Sequence, residues 1–181
     1  MHGNELNKDN QNNKNNIGTT HISFKKQKEH IELPSLQMSD LQENKKYMFD
    51  IVGAIHEVHK ELGAGLNEYC YQEGLQMEFT ERGIPFKREL SFHPTYHGKA
   101  MEATYRIDFL CKGDIIVECK AVSELSANNR AQLFNYMRLQ KKQYGILVNF
   151  SPKYAVIERY IYDAKSNNIL GVDGRIIQNY V

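Results

Sequence analysis

Residues 103–121 read Ala103-Thr-Tyr-Arg-Ile-Asp-Phe-Leu-Cys-Lys-Gly-Asp-Ile-Ile-Val-Glu-Cys-Lys-Ala121. Two runs rich in β-branched and aromatic residues flank the triplet Lys-Gly-Asp, a turn signal, so we predict a β-hairpin. If the turn has three residues centred on Gly113, Asp108 lies directly opposite Glu118 on the neighbouring strand. Because strand side chains alternate between faces, Lys120 shares the face of Glu118.

These three charged residues predict a metal site. Two carboxylates opposed across a hairpin repel each other and destabilise it. A divalent cation between Asp108 and Glu118 would turn that cost into a binding site, and oxygen ligands suit magnesium or manganese. Lys120, one pleat further on, can hold an anion against the metal. The combination is typical of phosphodiester cleavage, and the alternative is a surface hairpin with ordinary charges.

The composition of the second strand favours the functional interpretation. Residues 115–119 are apolar except for Glu118, as expected for a central strand that is buried on both faces. Burying even a neutral polar group without a partner costs roughly 2–7 kcal/mol. We therefore expect Glu118 and Lys120 to have partners or a ligand.

Length and cysteine content limit the class of protein. A chain of 181 residues suits one domain, and no apolar run is long enough to cross a membrane. The first eight residues contain no apolar segment of a secretory signal. Cys70, Cys111 and Cys119 form no Cys-x-x-Cys pair, which favours a reducing compartment and argues against structural zinc. We predict a cytoplasmic protein without a membrane partner.

The net charge gives no support for tight binding to duplex DNA. The chain has 23 Lys and Arg against 22 Asp and Glu, for a net charge of +1. Residues 1–40 hold five basic and five acidic residues, so they hide no basic domain in the remainder. Because non-specific duplex binding usually needs a basic face, the charge argues against a highly active free-standing nuclease.

The chain divides into a predicted tail and one predicted domain. Residues 1–40 are rich in Asn and poor in apolar residues, and we predict that they are disordered or loosely ordered. Residues 41–181 are predicted to form a single domain of α/β class, a mixed sheet flanked by helices in the order α-α-β-β-β-α-β-β with one further closing strand. The predicted helices span residues 41–62, 67–82 and from 126 or 128 to 142, and the predicted strands span residues 87–96, 102–111, 115–122, 144–150, 157–163 and 169–180.

A third carboxylate lies on the apolar face of the second helix. Glu68 falls on one stripe with Tyr71 and Leu75, and a carboxylate there must be protonated, paired or metal-bound. The alternative is a first-turn acid that interacts with the helix macrodipole. Gly65, in the turn before this helix, permits a backbone angle or a close approach that side chains would obstruct.

Two polar residues share a face of the third helix. Gln132 and Tyr136 are four residues apart, so the amide and the phenol can together orient a phosphate, a base or Lys120. Plain helix packing with a solvated glutamine is the alternative. Arg130 and Arg138 on the same helix are candidates for a phosphate-facing edge. The two histidines of the first helix are interpreted as packing residues.

Four elements in this order resemble a known family. Gly65-Leu-Asn-Glu68-Tyr-Cys-Tyr71 matches Gly-x-x-Glu-x-x-Tyr, the pattern that gives the GxxExxY protein family its name, and that family belongs to the PD-(D/E)XK nuclease superfamily. Asp108 with Glu118-x-Lys120 is similar to the superfamily signature, although Ile107 stands where the superfamily name has proline. Gln132-x-x-x-Tyr136 resembles a motif of RecB-like exonucleases. The resemblance covers residues 45–180.

The resemblance implies a restriction-endonuclease-like core and metal-dependent cleavage of phosphodiesters. It implies that Glu68, Asp108 and Glu118 hold Mg²⁺, for which Mn²⁺ can substitute, with the backbone carbonyl of Cys119 as a further ligand. Lys120 would position or activate the attacking water. Supporting residues would be Gln132, Tyr136, Tyr71 and Gly65.

Two functions follow as hypotheses. The first is a Mg²⁺-dependent nuclease that acts on DNA rather than RNA, either exonucleolytic or directed at single strands. The second is a catalytically silent module that keeps the nuclease fold and acts in nucleic-acid binding or protein interaction. The near-neutral charge favours the second, whereas three converging acids favour the first.

Overall fold

The computed structural model describes the backbone of residues 38–180 and the side chains of residues 43–180. The predicted tail, residues 1–40, therefore lies almost wholly outside the described residues. The predicted class is confirmed: a mixed sheet is flanked by helices. The elements are α1 (Met38–Leu62), α2 (Glu68–Glu81), β1 (Phe86–Phe92), β2 (Thr95–Tyr96), β3 (Lys99–Ala100), β4 (Tyr105–Cys111), β5 (Ile115–Lys120), α3 (Ala127–Gln140), β6 (Tyr144–Asn149), β7 (Val156–Asp163), β8 (Asn168–Gly171) and β9 (Ile176–Asn179).

Side-chain caps fix where two of the helices begin. The Asn67 side chain accepts a 2.9 Å hydrogen bond from the Cys70 backbone N–H and thereby caps α2. Ser126 caps α3 and forms a reciprocal capping box with Asn129. Both helices bound the region where β5 ends, so their starting positions determine which side chains reach it.

The central strands run parallel. Within residues 38–180, seven strands form one sheet in the order β1-β4-β5-β6-β7-β8-β9, and only the β5–β6 pair is parallel, with α3 as the crossover between them. Every residue of β5 and of β6 is buried, as the apolar composition predicts. β5 is therefore a central strand, and its polar residues Glu118 and Lys120 lie inside the molecule.

The register of the β4–β5 hairpin agrees with the prediction. Phe109 pairs with Val117 and Cys111 with Ile115, around a turn in which Gly113 has a φ of +78°. Continuing this register by one residue places Asp108 opposite Glu118. The predicted hairpin and its turn are present, and the two acids are the next residues beyond its last regular pair.

Two predicted strands are divided in the structure, so the predicted order has too few strands. The first ends at Phe92 because Pro94 has no N–H to donate, and β2 and β3 form a separate two-stranded hairpin whose base is closed by a 2.8 Å bond from the Met101 N–H to the Pro94 carbonyl. The stretch 169–180 is interrupted by a turn at Gly174, with a φ of +79°, and becomes β8 and β9.

Each face of the sheet packs against its own helices. One core includes Ile55 of α1 and Leu75 of α2, and the other includes Leu133 and Met137 of α3. A Cβ at Gly145 of β6 would lie 2.4 Å from the Met137 Sδ atom, so this glycine permits the close approach of α3 to the sheet. Within residues 38–180, no helix is long and apolar enough to cross a membrane.

Candidate active site

Each hairpin acid accepts a hydrogen bond from a backbone N–H of the opposite strand. The Asp108 Oδ2 atom accepts a 2.8 Å hydrogen bond from the Cys119 N–H, and the Glu118 Oε1 atom accepts a 3.3 Å bond from the Asp108 N–H. Both side chains are buried, with Glu118 1% and Asp108 9% exposed. The last regular pair of β4 and β5 is Phe109 with Val117, so these carboxylates replace the ladder where it ends.

A backbone irregularity accompanies this exchange. Phe109 packs in the core under α1 and α2, but Ile107 packs in the core under α3, although a regular strand would place both on one side. On β1 the residue opposite Asp108 is Glu89, which forms no regular pair and has a φ of +53°. The pairs on either side keep one register, so this irregularity redirects side chains beside the acids without inserting a residue.

Lys120 supplies the positive charge of the site. Its Nζ atom lies 3.5 Å from the Glu118 Oε2 atom, and its side chain is buried. The Oε2 atom itself is buried and, within the described structure, accepts no hydrogen bond. A buried carboxylate oxygen that accepts no hydrogen bond lowers the stability of the fold, and either a proton or a metal ion bound to it would reduce that cost.

Glu68 reaches the same region from the other side of the sheet. It is the first residue of α2 and is half-buried. Its pKa is raised, chiefly by burial and also by the Asp108 charge. The charge of Lys120 and the Ala121 backbone amide act in the opposite direction. Glu68 therefore lies within electrostatic reach of Asp108 and Lys120, near the carboxyl end of β5.

Burial dominates the protonation of the acids. Burial, and after it the neighbouring Asp108 charge, raises the pKa of Glu118 to about 8. Burial also raises the pKa of Asp108 above its ordinary value. For Lys120, burial lowers the pKa, but the charges of Glu118, Glu68 and Asp108 outweigh that effect and raise it. Lys120 therefore stays charged, whereas Glu118 favours a proton that a bound metal ion would have to displace.

The donor atoms of the site suit a hard metal ion, but they are not arranged as a finished coordination sphere. Among residues 38–180, no group of three or more His, Cys, Asp or Glu side chains is placed to hold a metal. One oxygen of Asp108 and one of Glu118 are occupied by backbone N–H groups. The Glu118 Oε2 atom, which accepts no hydrogen bond, nevertheless fits Mg²⁺ or Mn²⁺, which prefer oxygen ligands.

Cys119 contributes through its backbone. Its side chain is fully buried in the core under α1 and α2, and burial raises the pKa of the thiol well above its ordinary value. The thiol is therefore unreactive. Its N–H donates to Asp108, and its carbonyl stays a predicted metal ligand.

Gln132 and Tyr136 form a pair beside the acids. The Gln132 Nε2 atom donates a 3.1 Å hydrogen bond to the Tyr136 hydroxyl. Burial raises the pKa of Tyr136, the Gln132 hydrogen bond lowers it, and the charges of Glu118, Lys120 and Asp108 act on it as well. The pair therefore lies within electrostatic reach of the carboxylates.

The glycine–glutamate–tyrosine motif holds the start of α2. The Tyr71 hydroxyl donates a 2.8 Å hydrogen bond to the Gly63 carbonyl and accepts a 3.2 Å bond from the Leu66 N–H, while its ring stacks on Phe150 at 4.6 Å. Gly65 has a φ of +97°, and a Cβ there would meet no atom within 4 Å. Backbone angle, and not close approach, requires this glycine. Both residues position Glu68.

Asn149 is a positioning residue that the sequence patterns did not indicate. It ends β6 and is almost fully buried. Its side chain accepts 3.1 Å and 3.2 Å hydrogen bonds from the Val122 and Ser151 N–H groups, and donates a 2.7 Å bond to the Val122 carbonyl. It thereby fixes the chain immediately after Lys120. The one available signal was an amide at the end of an apolar strand.

Arg130 and His59 both form hydrogen bonds within the protein. The Arg130 guanidinium donates to both Glu158 oxygens, at 2.8 Å and 2.6 Å, so it does not form the expected phosphate-facing edge. The His59 Nε2–H group donates a 3.0 Å hydrogen bond to the Pro152 carbonyl, in agreement with a packing role.

A model of the PD-(D/E)XK nuclease superfamily matches residues 45–160. The chain belongs to this superfamily. The matched range is more than half of the chain and contains Glu68, Asp108, Glu118 and Lys120. The superfamily prediction is confirmed, whereas the narrower GxxExxY family stays a resemblance.

No curated protein matches this superfamily member. A solved structure described as "Crystal structure of SSO0001" matches with a TM-score of 0.40 and 20% identity. The match covers 49% of this chain and 46% of that chain. Because less than half of either chain is covered, this likeness carries no argument about activity.

Proposed function

We propose that this protein is a Mg²⁺-dependent nuclease that hydrolyses phosphodiester bonds of DNA. The observation that carries the proposal is the buried Glu118 carboxylate, which lies between Asp108 and Lys120 and has one oxygen that accepts no hydrogen bond and is ion-paired with Lys120 at 3.5 Å. A strand that served only the fold would be more stable with an apolar residue there, because a buried unsatisfied carboxylate is costly. Membership in a nuclease superfamily supports the same conclusion.

The acids would hold the metal. Glu118 offers its Oε2 atom, which accepts no hydrogen bond, and Asp108 offers its second oxygen. Glu68 would add a half-buried carboxylate, and the Cys119 carbonyl would be a further ligand. When bound, such an ion supplies Lewis-acid activation of a phosphoryl oxygen and hydroxide near neutral pH. The raised pKa values of the acids mean that metal binding must displace protons.

Lys120 would act on the phosphate. Its buried ammonium stays charged because three carboxylates surround it, and it can stabilise the negative charge that develops as water attacks phosphorus. The hydrogen-bonded Gln132–Tyr136 pair would orient the substrate beside it. This pair is also the reason to propose an exonuclease or a single-strand-directed enzyme.

A cleavage panel tests the proposal. Linear, circular and single-stranded DNA, with RNA for comparison, are incubated with Mg²⁺, Mn²⁺ or EDTA. We expect metal-dependent cleavage that Asp108→Asn abolishes and that Glu73→Gln, an exposed acid on α2, retains. Equal cleavage by wild type and Asp108→Asn would identify a contaminating nuclease, and no cleavage of any substrate would contradict the proposal.

The silent module is the second candidate, and two observations favour it. The chain has a net charge of only +1, and no three-residue metal cluster is arranged within the described part of the chain. Calorimetric titration with Mn²⁺ separates the two functions. Site-specific binding that Glu118→Gln weakens supports the nuclease, whereas absence of binding supports the module.

A further inference from the structure

A groove of about 440 Å³ lies between α3 and the base of the β2–β3 hairpin. Pro94 and Met101, which are joined by a backbone hydrogen bond, line it on the hairpin side. Tyr105 and Tyr136 line it as well. The two supporting residues of the proposed active site, Gln132 and Tyr136, belong to this lining, so the groove adjoins the acids.

The α3 side of the groove carries three amide side chains. Asn128, Gln132 and Asn135 occur at positions i, i+4 and i+7, which lie on one face of a helix. Arg138 adds a positive charge, and no acidic residue belongs to the lining found within residues 38–180. An amide both donates and accepts hydrogen bonds, so this face can bind the edge of any nucleobase. The absence of carboxylates removes one source of repulsion towards phosphate.

Tyr105 provides an aromatic surface that its neighbours hold in place. It is 44% exposed, its ring is stacked with Phe92 at 5.8 Å, and it contacts Tyr136 at 5.9 Å in an edge arrangement. A supported and half-exposed ring can stack with a base without first being ordered. Stacking of this kind tolerates any base because each has a π-face.

We propose that this groove binds an unpaired nucleotide of the substrate, with the base against Tyr105 and its edge towards the amides of α3. The proposal rests on the proposed function and narrows it to substrates with single-stranded regions. In a duplex the base faces are stacked and the pairing edges are occupied, so only an unpaired base offers both to the protein. An enzyme with this groove would therefore prefer single strands or unpaired ends.

Fluorescence anisotropy tests the groove, using a labelled oligothymidine and a labelled blunt duplex of the same length in EDTA. We expect Tyr105→Ala to bind the single strand about tenfold more weakly, as loss of one stacked base predicts, and Tyr105→Phe to bind like wild type. Tyr154→Ala is the matched control, because this 73% exposed tyrosine lies outside the groove. Duplex binding should be the same for all variants.

A second variant makes the test independent of the aromatic ring. Asn135→Asp places a carboxylate in the groove, and we expect it to weaken single-strand binding while circular dichroism stays unchanged. Asn135→Asp also tests the groove if Tyr105→Ala does not fold. Wild-type affinity for the single strand in both variants, or an equal loss of affinity for single strand and duplex, would contradict the proposal that the groove binds an unpaired nucleotide.

Cleavage measured in parallel with Mg²⁺ separates this proposal from the nuclease proposal. Suppose that the protein cleaves with metal but binds single strands equally well with and without the Tyr105 ring. That result would contradict the proposed role of the groove and still support the nuclease proposal. Tyr105-dependent binding by a protein that cleaves nothing would support the groove and contradict the nuclease.

Discussion

Asp108 accepts a 2.8 Å hydrogen bond from the Cys119 backbone N–H, beyond the last regular pair of the hairpin that carries both residues. One oxygen of this proposed metal ligand therefore replaces a missing backbone acceptor. The same carboxylate joins β4 to β5 and offers its second oxygen to the site. Structural and chemical consequences of a substitution at Asp108 can be separated only by the choice of replacement.

Asp108→Asn should cost less stability than Asp108→Ala, although both should abolish metal-dependent cleavage. Asparagine retains a side-chain oxygen for the Cys119 N–H, whereas alanine leaves that buried donor unsatisfied, at a cost of about 1–3 kcal/mol. Urea denaturation of the two variants measures the difference in the free energy of unfolding. Equal stability would mean that the hydrogen bond to Cys119 contributes nothing to the fold.

Glu118→Gln should make the metal-free protein more stable at alkaline pH. Burial raises the pKa of Glu118 from 4.5 to about 8, so between these values the folded state holds a proton that the unfolded state has lost. Stability from this group is complete below pH 4.5 and falls as the pH rises through about 8. Glutamine carries no charge and keeps an acceptor for the Asp108 N–H, so it escapes this loss.

Thermal melts from about pH 5 to about pH 9 in EDTA test the effect. The wild-type melting temperature should fall more steeply with pH than that of Glu118→Gln, with Glu73→Gln following wild type. Excess Mn²⁺ should reverse the order at alkaline pH, because only the wild type gains the full stabilisation of ligand binding. A Glu118→Gln protein that melts clearly lower than wild type at pH 9 without metal would contradict the buried charge.

Local signals were sufficient to predict the hairpin and its register. Gly113 defined the turn, and a side-chain period of two then placed Asp108 opposite Glu118, because no insertion separates the turn from the acids. The caps of α2 and α3 were predictable for the same reason, since Asn67 and Ser126 act on residues three positions away.

Long-range consequences were not predictable in this way. The positive φ of Glu89 and the change of face at Asp108 depend on two strands at once, and no short motif encodes them. The Asn149 side chain accepts its hydrogen bond from Val122, which lies 27 residues earlier in the chain. The pairing of Arg130 with Glu158 likewise depends on how α3 lies over β7, which periodicity within α3 does not determine.

Lys120→Ala should lose cleavage and retain metal binding. An electrostatic group that acts in the transition state typically contributes about 10²–10³ in rate. Lys87→Ala, at an exposed position on β1, is the matched control. Single-turnover cleavage gives the rate, and calorimetry with Mn²⁺ gives the affinity. Cleavage at the wild-type rate by a folded Lys120→Ala protein would exclude a role of this ammonium in the reaction.

Tyr71→Phe should lower stability without removing the site. Its hydroxyl joins the Gly63 carbonyl to the Leu66 N–H, so phenylalanine leaves two backbone groups of this loop without their partner. We expect a loss of about 1–3 kcal/mol, measured by urea denaturation, with residual cleavage once Mn²⁺ is saturating. A variant as stable as wild type would show that the hydroxyl does not hold the start of α2.

Glu68→Gln tests whether α2 contributes to the metal site. If Glu68 is only an acid at a helix terminus, the change costs about 0.3–1 kcal/mol and leaves Mn²⁺ affinity unchanged. We expect instead that affinity and cleavage fall together, because Glu68 lies within the field of Lys120 and Asp108. Glu73→Gln makes the same chemical change on an exposed face of the same helix and should alter neither. Wild-type Mn²⁺ affinity and activity in Glu68→Gln would confine the site to the hairpin and leave the glycine–glutamate–tyrosine motif a structural role alone.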